Sequence, residues 1–176
     1  MSNSSKRSRT PVHFDVWSRL AVAYPLGLAP WAPGTFGSLP GLVLGALIYY
    51  TGQGWISSLG LIPELWAVFC LGLLIWLAWA AIHRTENLWQ THDDGRIVID
   101  EVAGQAIPIA FLGFDPTTLI LSFILFRLLD ILKPGLIGWC DRQLPGAWGT
   151  LLDDLVAGLC TWPLVFALSS LIRLTL

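Results

Sequence analysis

Charge is what this 176-residue chain has least of. Only 12% of its residues are Asp, Glu, Lys or Arg, about half of the roughly 25% usual in a soluble domain. With 55% hydrophobic residues, that shortage excludes disorder, which needs low hydrophobicity and high net charge. A basic excess is also lacking. Ten Lys+Arg stand against twelve Asp+Glu, which leaves no field to attract a nucleic-acid backbone. Cysteine is scarce, and Cys70, Cys140 and Cys160 form neither a disulfide framework nor a CxxC metal motif. The class left is a small integral membrane protein.

The few charges are confined to three stretches, residues 1–19, 83–101 and 127–154, with only Glu64, Asp115 and Arg173 outside them. A bilayer core of about 30 Å needs about 20 mostly apolar helical residues. Residues 38–55, 62–82 and 155–172 meet that requirement. Segments 102–113 and 117–130 are shorter and are separated by the turn Gly113-Phe114-Asp115-Pro116. The expected fold is therefore an all-α, polytopic helical membrane protein with about five membrane helices, some of them short or re-entrant. Three full spans plus a re-entrant pair is the second option.

Five spans put residues 1–37, 83–101 and 131–150 on one face, which with Arg127 carries nine of the ten Lys+Arg. The opposite loops, 52–61 and 113–116, carry none, so the positive-inside rule assigns the charged face to the cytoplasm. Trp31, Trp89, Trp139 and Trp148 fall near that interface and Trp55 near the other, as an aromatic belt requires. No internal repeat or low-complexity tract is present, and the chain is expected to form a single membrane-embedded domain, 1–176. Residues 1–10 read as a disordered tail and 12–24 as an interfacial amphipathic helix. The basic start lacks the apolar run and cleavage site of a secretory signal.

Nine of the twelve acids lie in the two charged stretches after residue 82, which share a membrane face. Asp100-Glu101 opens the helix expected from Val102, Asp153-Asp154 opens the last helix, and Asp130 closes the helix begun near Thr117, one turn after Arg127. Adjacent carboxylates at one bilayer depth repel one another and take up protons unless a cation neutralises them. A hard divalent ion with oxygen ligands, Mg²⁺ first among them, is the economical solution. Plain structural roles compete at each position. Thr150-x-x-Asp153 fits a capping box, Asp100 and Glu101 suit a helix N-terminus, and Arg127–Asp130 fits an i,i+3 ion pair. Two adjacent acids at two separate helix starts exceed what capping needs. Arg127, Lys133 and Arg142 could hold an anionic phosphate beside the metal, or be topology residues. The turn Pro33–Ser38, PGTFGS, could offer backbone N–H groups and the hydroxyls of Thr35 and Ser38 to phosphate.

Several phosphate chemistries are absent. No Gly-Lys pair exists for a P-loop, and no Asp-x-Asp triplet for an aspartyl-phosphate mechanism. Six residues after Cys70, Cys140 and Cys160 stand Trp76, Gly146 and Phe166, not the Arg of a cysteine phosphatase. A two-histidine mechanism finds only His92 near the acids, since His13 and His83 lie elsewhere. A metal-polarised water is the nucleophile left over.

Three blocks in these stretches, PGTFGS at 33–38, THDDGRIVIDEVAG at 91–104 and FRLLDILKPGLIGWCDRQLPGAWGTLLDDLVAG at 126–158, resemble the phosphatidylglycerophosphatase A family of bacterial inner-membrane lipid phosphatases. They occur in the family's order and cover about 30% of the chain. The resemblance implies Mg²⁺-dependent hydrolysis of phosphatidylglycerol phosphate to phosphatidylglycerol and inorganic phosphate, with the active site facing the cytoplasm. The acidic pattern of the family falls on Asp93, Asp100, Glu101, Asp130, Asp141, Asp153 and Asp154, and its basic positions on Arg127, Lys133 and Arg142. Asp100, Glu101, Asp153 and Asp154 are then expected to hold one or two Mg²⁺, joined by Asp130 and Asp93. Arg127 and Lys133 would steady the phosphoryl group, and His92 would serve catalysis. Two rivals remain. A CDP-alcohol phosphotransferase needs an Asp-Gly/Ala-Arg order that Asp94-Gly95-Arg96-Ile97 lacks, and an ion or solute transporter would place its charges near the midplane.

Overall fold

A computed structural model describes residues 13–175, and every element among them is helical. The expectation for residues 1–10, and the first residue of the 12–24 segment, lie outside that range. Helix α1 is only Val16–Ala21, not an amphipathic helix through residue 24. Asp15 starts it with a capping box, accepting from the Ser18 amide while Ser18 Oγ accepts from the Asp15 amide. A 3₁₀ turn at Leu26–Leu28 then leads to α2, Pro33–Thr51, which runs on through a π-helical turn at Gly52–Ile56.

Proline opens α2 and also the third and fifth helices, at Pro63 and Pro116, as its fixed φ and missing N–H favour. Helix α3 is Pro63–Trp89 and ends where Gln90 turns left-handed at φ 51°. Helix α4, Ile99–Leu112, stops at Gly113, whose φ of +94° suits glycine. Helix α5, Pro116–Leu132, is capped by Asp115, which accepts from the amides of Thr117 and Thr118. Helix α6 is Leu136–Gln143 and α7 is Ala147–Thr175.

The α7 boundary corrects the sequence reading. Asp153 and Asp154 lie nearly two turns inside the helix rather than at its start, and the Thr150 hydroxyl donates to Glu86, so no capping box forms there. An acidic pair inside a helix gains nothing from end capping, which removes the simplest structural explanation for it.

Helix α4 is the centre of the molecule, buried almost throughout from Ile99 to Ala110. It can be approached closely because its neighbours present small residues. Gly37, Gly41 and Gly45 recur every fourth position on one face of α2, and a Cβ at each would come within 2.5–2.7 Å of Val98, the Val102 carbonyl and the Ala106 carbonyl. On the other side Gly104 and Gly158 let the backbones of α4 and α7 touch. This small-residue packing is the usual solution where lipid, rather than water, surrounds the helices. Large apolar side chains accordingly point outward, among them Phe69 and Trp76 on α3, Ile124 and Ile131 on α5, and Phe166 on α7.

All five apolar segments are helical, yet two among the described helices, α3 and α7, are long and apolar enough to cross a membrane by length and composition. Helix α2 is diluted by glycine, proline and tyrosine, and α4 and α5 are only 14 and 17 residues long.

Candidate active site

The expected acids converge. One carboxylate oxygen each from Asp100, Glu101 and Asp154 lie within 4.8 Å of one another, and so do oxygens from Asp130, Asp153 and Asp154. Asp154 belongs to both groups. Four elements are needed to build this arrangement. The first turn of α4 brings Asp100 and Glu101, the last turn of α5 brings Asp130, and the buried face of α7 brings Asp153 and Asp154. The α2 start closes the site, because Gly34 lies so near that a Cβ there would meet Glu101 Oε1 at 2.0 Å and Arg127 Nη1 at 3.1 Å.

Two cations are interleaved with the acids. Arg127 Nη1 is 2.6 Å from Asp130 and 3.8 Å from Glu101. Lys133, left-handed at φ 44° just past α5, reaches both Asp141 at 2.5 Å and Asp153 at 2.6 Å. Burial alone would lower the Lys133 pKa, but its hydrogen bonds to those two carboxylates outweigh it and raise the group above its ordinary value. Lys133 is therefore a fixed positive charge at working pH.

The polar accounting is incomplete in an informative way. Glu101 Oε2, Asp153 Oδ1, Asp154 Oδ1 and the Arg127 Nε are buried without a hydrogen-bond partner. Buried polar atoms are almost always satisfied, and an unpaired buried carboxylate oxygen is costly. Three orphaned acceptors in an all-oxygen set fit a hard dication such as Mg²⁺, which takes carboxylate and water oxygens. The orphaned Arg127 Nε fits an anion beside it.

The remaining expected residues are distributed around this centre. Ser38 is buried, donates to the Gly34 carbonyl at 2.8 Å and accepts from Arg127 Nη1 at 3.5 Å. Thr35 lies one residue after Gly34 in the first turn of α2 and is half-buried. Arg142 is exposed, with its guanidinium beside Gly138 of its own helix. Asp93 is outside both acid groups, and its backbone N–H donates to Glu86 Oε1 at 3.1 Å. His92 is likewise held by Glu86, with Nδ1 2.9 Å from the same oxygen. Glu86 itself went unrecognised in the sequence. It precedes His92 by six residues, and the chain returns to it through a turn with Gln90 and Asp93 both left-handed at φ 51°.

An all-helical protein with apolar spans, small-residue packing and a buried carboxylate centre interleaved with fixed cations is, as a class, a helical membrane protein with a candidate metal-assisted phosphoryl site. Within that class the chain belongs to the phosphatidylglycerophosphatase A family, whose model matches residues 19–169. Phosphatidylglycerophosphatase A of Escherichia coli is 33% identical over 81% of this chain and 77% of its own length. The Haemophilus influenzae protein of the same name is 33% identical over 90% of this chain and 88% of its own. A Bacteroides thetaiotaomicron protein, named provisionally as a phosphatidylinositol-3-phosphatase, is 31% identical over 83% of this chain and 89% of its own. No solved structure matches the chain.

Proposed function

We propose that this protein hydrolyses the phosphomonoester of phosphatidylglycerol phosphate, releasing phosphatidylglycerol and inorganic phosphate. The observation that carries the reading is the double use of Asp154. One buried carboxylate completes two oxygen triplets, with Arg127 and Lys133 alongside. The names of the Escherichia coli and Haemophilus influenzae relatives support the substrate.

Asp100, Glu101, Asp130, Asp153 and Asp154 would hold one or two Mg²⁺, and the orphaned oxygens support that assignment. A dication bound there supplies charge to the phosphoryl oxygens and generates the attacking nucleophile from water at neutral pH. The chain's own residues do the positioning. Arg127 keeps Nε free for a phosphoryl oxygen while Asp130 fixes its Nη1. Lys133 spends two of its three N–H donors on Asp141 and Asp153, which leaves one for phosphate. Ser38 at the start of α2 accepts from Arg127 Nη1, and Thr35, Arg142 and His92 are proposed to contact the headgroup from the α2 start, α6 and the loop after α3. This division of labour is what in-line phosphoryl transfer asks of a protein, namely positioning and charge stabilisation.

The outward apolar side chains and the one-sided placement of Lys and Arg support five membrane helices in the bacterial inner membrane, with the acids at the cytoplasmic interface. The acyl chains stay in the bilayer and the headgroup enters laterally. The decisive measurement is phosphate release by the purified full-length protein from phosphatidylglycerol phosphate and from phosphatidylinositol 3-phosphate, each with Mg²⁺ and with EDTA. Release from the first lipid that EDTA abolishes is expected. Equal release in EDTA removes the metal assignment, and release from the inositol lipid alone transfers the substrate to that of the Bacteroides thetaiotaomicron relative's name.

A further inference from the structure

One buried acid stands outside both carboxylate triplets. Glu86, in the last turn of α3, is 9% exposed. Its Oε1 accepts three hydrogen bonds, from His92 Nδ1 at 2.9 Å, from the Asp93 amide at 3.1 Å and from Thr150 Oγ1 at 3.0 Å. A buried carboxylate is tolerated only when its lone pairs are met.

The three donors come from the two segments that carry the site. His92 and Asp93 begin the loop that delivers Asp100 and Glu101 to the start of α4. Thr150 is one helical turn before Asp153 and Asp154 on α7, and i,i+3 and i,i+4 neighbours share a helix face. A single oxygen on a third helix thus ties the strand of chain behind one acidic pair to the turn behind the other.

We infer that Glu86 is a positioning residue that fixes the separation between the Asp100–Glu101 and Asp153–Asp154 pairs, acting through the 91–98 loop and Thr150. The inference rests on the reading of those pairs as a metal-assisted phosphoryl-transfer site. Glu86 acts as an acceptor of hydrogen bonds, so its oxygen rather than its charge carries the role. It does not touch the substrate, so its loss lowers turnover and leaves substrate affinity alone. Outer-shell partners of this kind are worth about 10–100-fold in metal affinity or activity.

The test uses the full-length protein in detergent and four variants, Glu86→Ala, Glu86→Gln, Thr150→Val and Thr150→Ser. The readouts are kcat and KM for phosphate release from phosphatidylglycerol phosphate, and binding of Mn²⁺ alone followed by its paramagnetic signal. Glu86→Ala is expected to lower kcat by about 10–100-fold, hold KM within about twofold, and weaken Mn²⁺ binding by about tenfold or more. Glu86→Gln keeps the acceptor oxygen and is expected to recover most of both. Thr150→Val is expected to lose part of kcat, and Thr150→Ser to restore it. Wild-type turnover and Mn²⁺ affinity in Glu86→Ala overturn the inference, as does a Glu86→Gln variant as impaired as Glu86→Ala. If Glu86→Ala fails to fold, the threonine pair decides, and unchanged turnover in Thr150→Val overturns it. A wild-type protein that neither binds Mn²⁺ nor releases phosphate overturns the functional reading itself, a result distinct from any of these.

Discussion

Asp154 is the carboxylate on which both oxygen triplets meet. It is 3% exposed, shares oxygen triplets with two sets of neighbours, and keeps Oδ1 without a partner. Its replacement by Asn preserves shape and one acceptor oxygen but removes the charge from both triplets. Asp154→Asn is therefore expected to reduce Mg²⁺-dependent phosphate release by at least about 100-fold, a loss no smaller than outer-shell changes produce, while the protein still extracts with the membrane fraction. Turnover within about threefold of wild type would show that the shared carboxylate is dispensable. The same replacement relieves repulsion among buried acids, so the variant is expected to unfold in detergent no earlier than wild type in the absence of divalent ions. Loss of activity with retained stability marks a group kept for chemistry rather than for the fold.

Helix packing is set by glycines that do different jobs at different places. Gly104 faces the Asp154 carbonyl and the Phe126 ring, where a Cβ would meet atoms at 2.5 and 2.7 Å, whereas Gly72 on α3 has nothing within 4 Å. Gly104→Ala is expected to force α4 and α7 apart at about 1–3 kcal/mol, visible as a lower melting temperature in detergent, and to cut activity because it moves Asp154. Gly72→Ala is expected to be neutral or to stabilise by up to about 1 kcal/mol, the ordinary helix preference for alanine. Equal melting temperatures for the two variants would deny the close α4–α7 crossing. The same contrast explains what could be read from the sequence. The ends at Pro63, Gly113 and Pro116 agree with the expected segments to about a residue, because proline and glycine act locally, whereas α3 runs past its expected end at 82 to Trp89. The start of α7 lies earlier than expected because Thr150-x-x-Asp153 fits the pattern of a capping box, although Ala147 already begins the helix and so carries Asp153 and Asp154 into its interior. The clustering of the few charges pointed to Asp100, Glu101, Asp130, Asp153 and Asp154, which the fold brings together, while Asp93, expected beside them, lies outside both triplets. The sharing of Asp154, the approach of Gly34 to Glu101 and the clamp at Glu86 were not legible, since each depends on how separate helices meet.

At the scale of the whole molecule the chain arranges its charges along one axis. The acid triplets, Arg127 and Lys133 are held by the start of α4, the end of α5 and the first turns of α7. At the other end α4 passes into α5 through Gly113–Asp115, where Arg173 of α7 meets Asp115 at 3.2 Å. That ion pair lies at the far end of the same two helices that carry Asp130 and Asp154, so α5 and α7 run the full distance between the ends. The proposed orientation puts the charged end, with its excess of Lys and Arg, on the cytoplasmic side. Single cysteines at Gln90 and Gln143, in a chain whose native cysteines have been replaced by serine or alanine, are then expected to resist a membrane-impermeant maleimide in intact cells and to react after permeabilisation. Cysteines at Gly60 and Phe114 are expected to react from outside. Both pairs of positions are exposed, so access and not burial decides the outcome. If Gln90 and Gln143 label from opposite sides, the loop before Asp100 and the loop before Asp153 cannot meet at one membrane face, and a shared site served by lipid headgroups from a single leaflet is untenable.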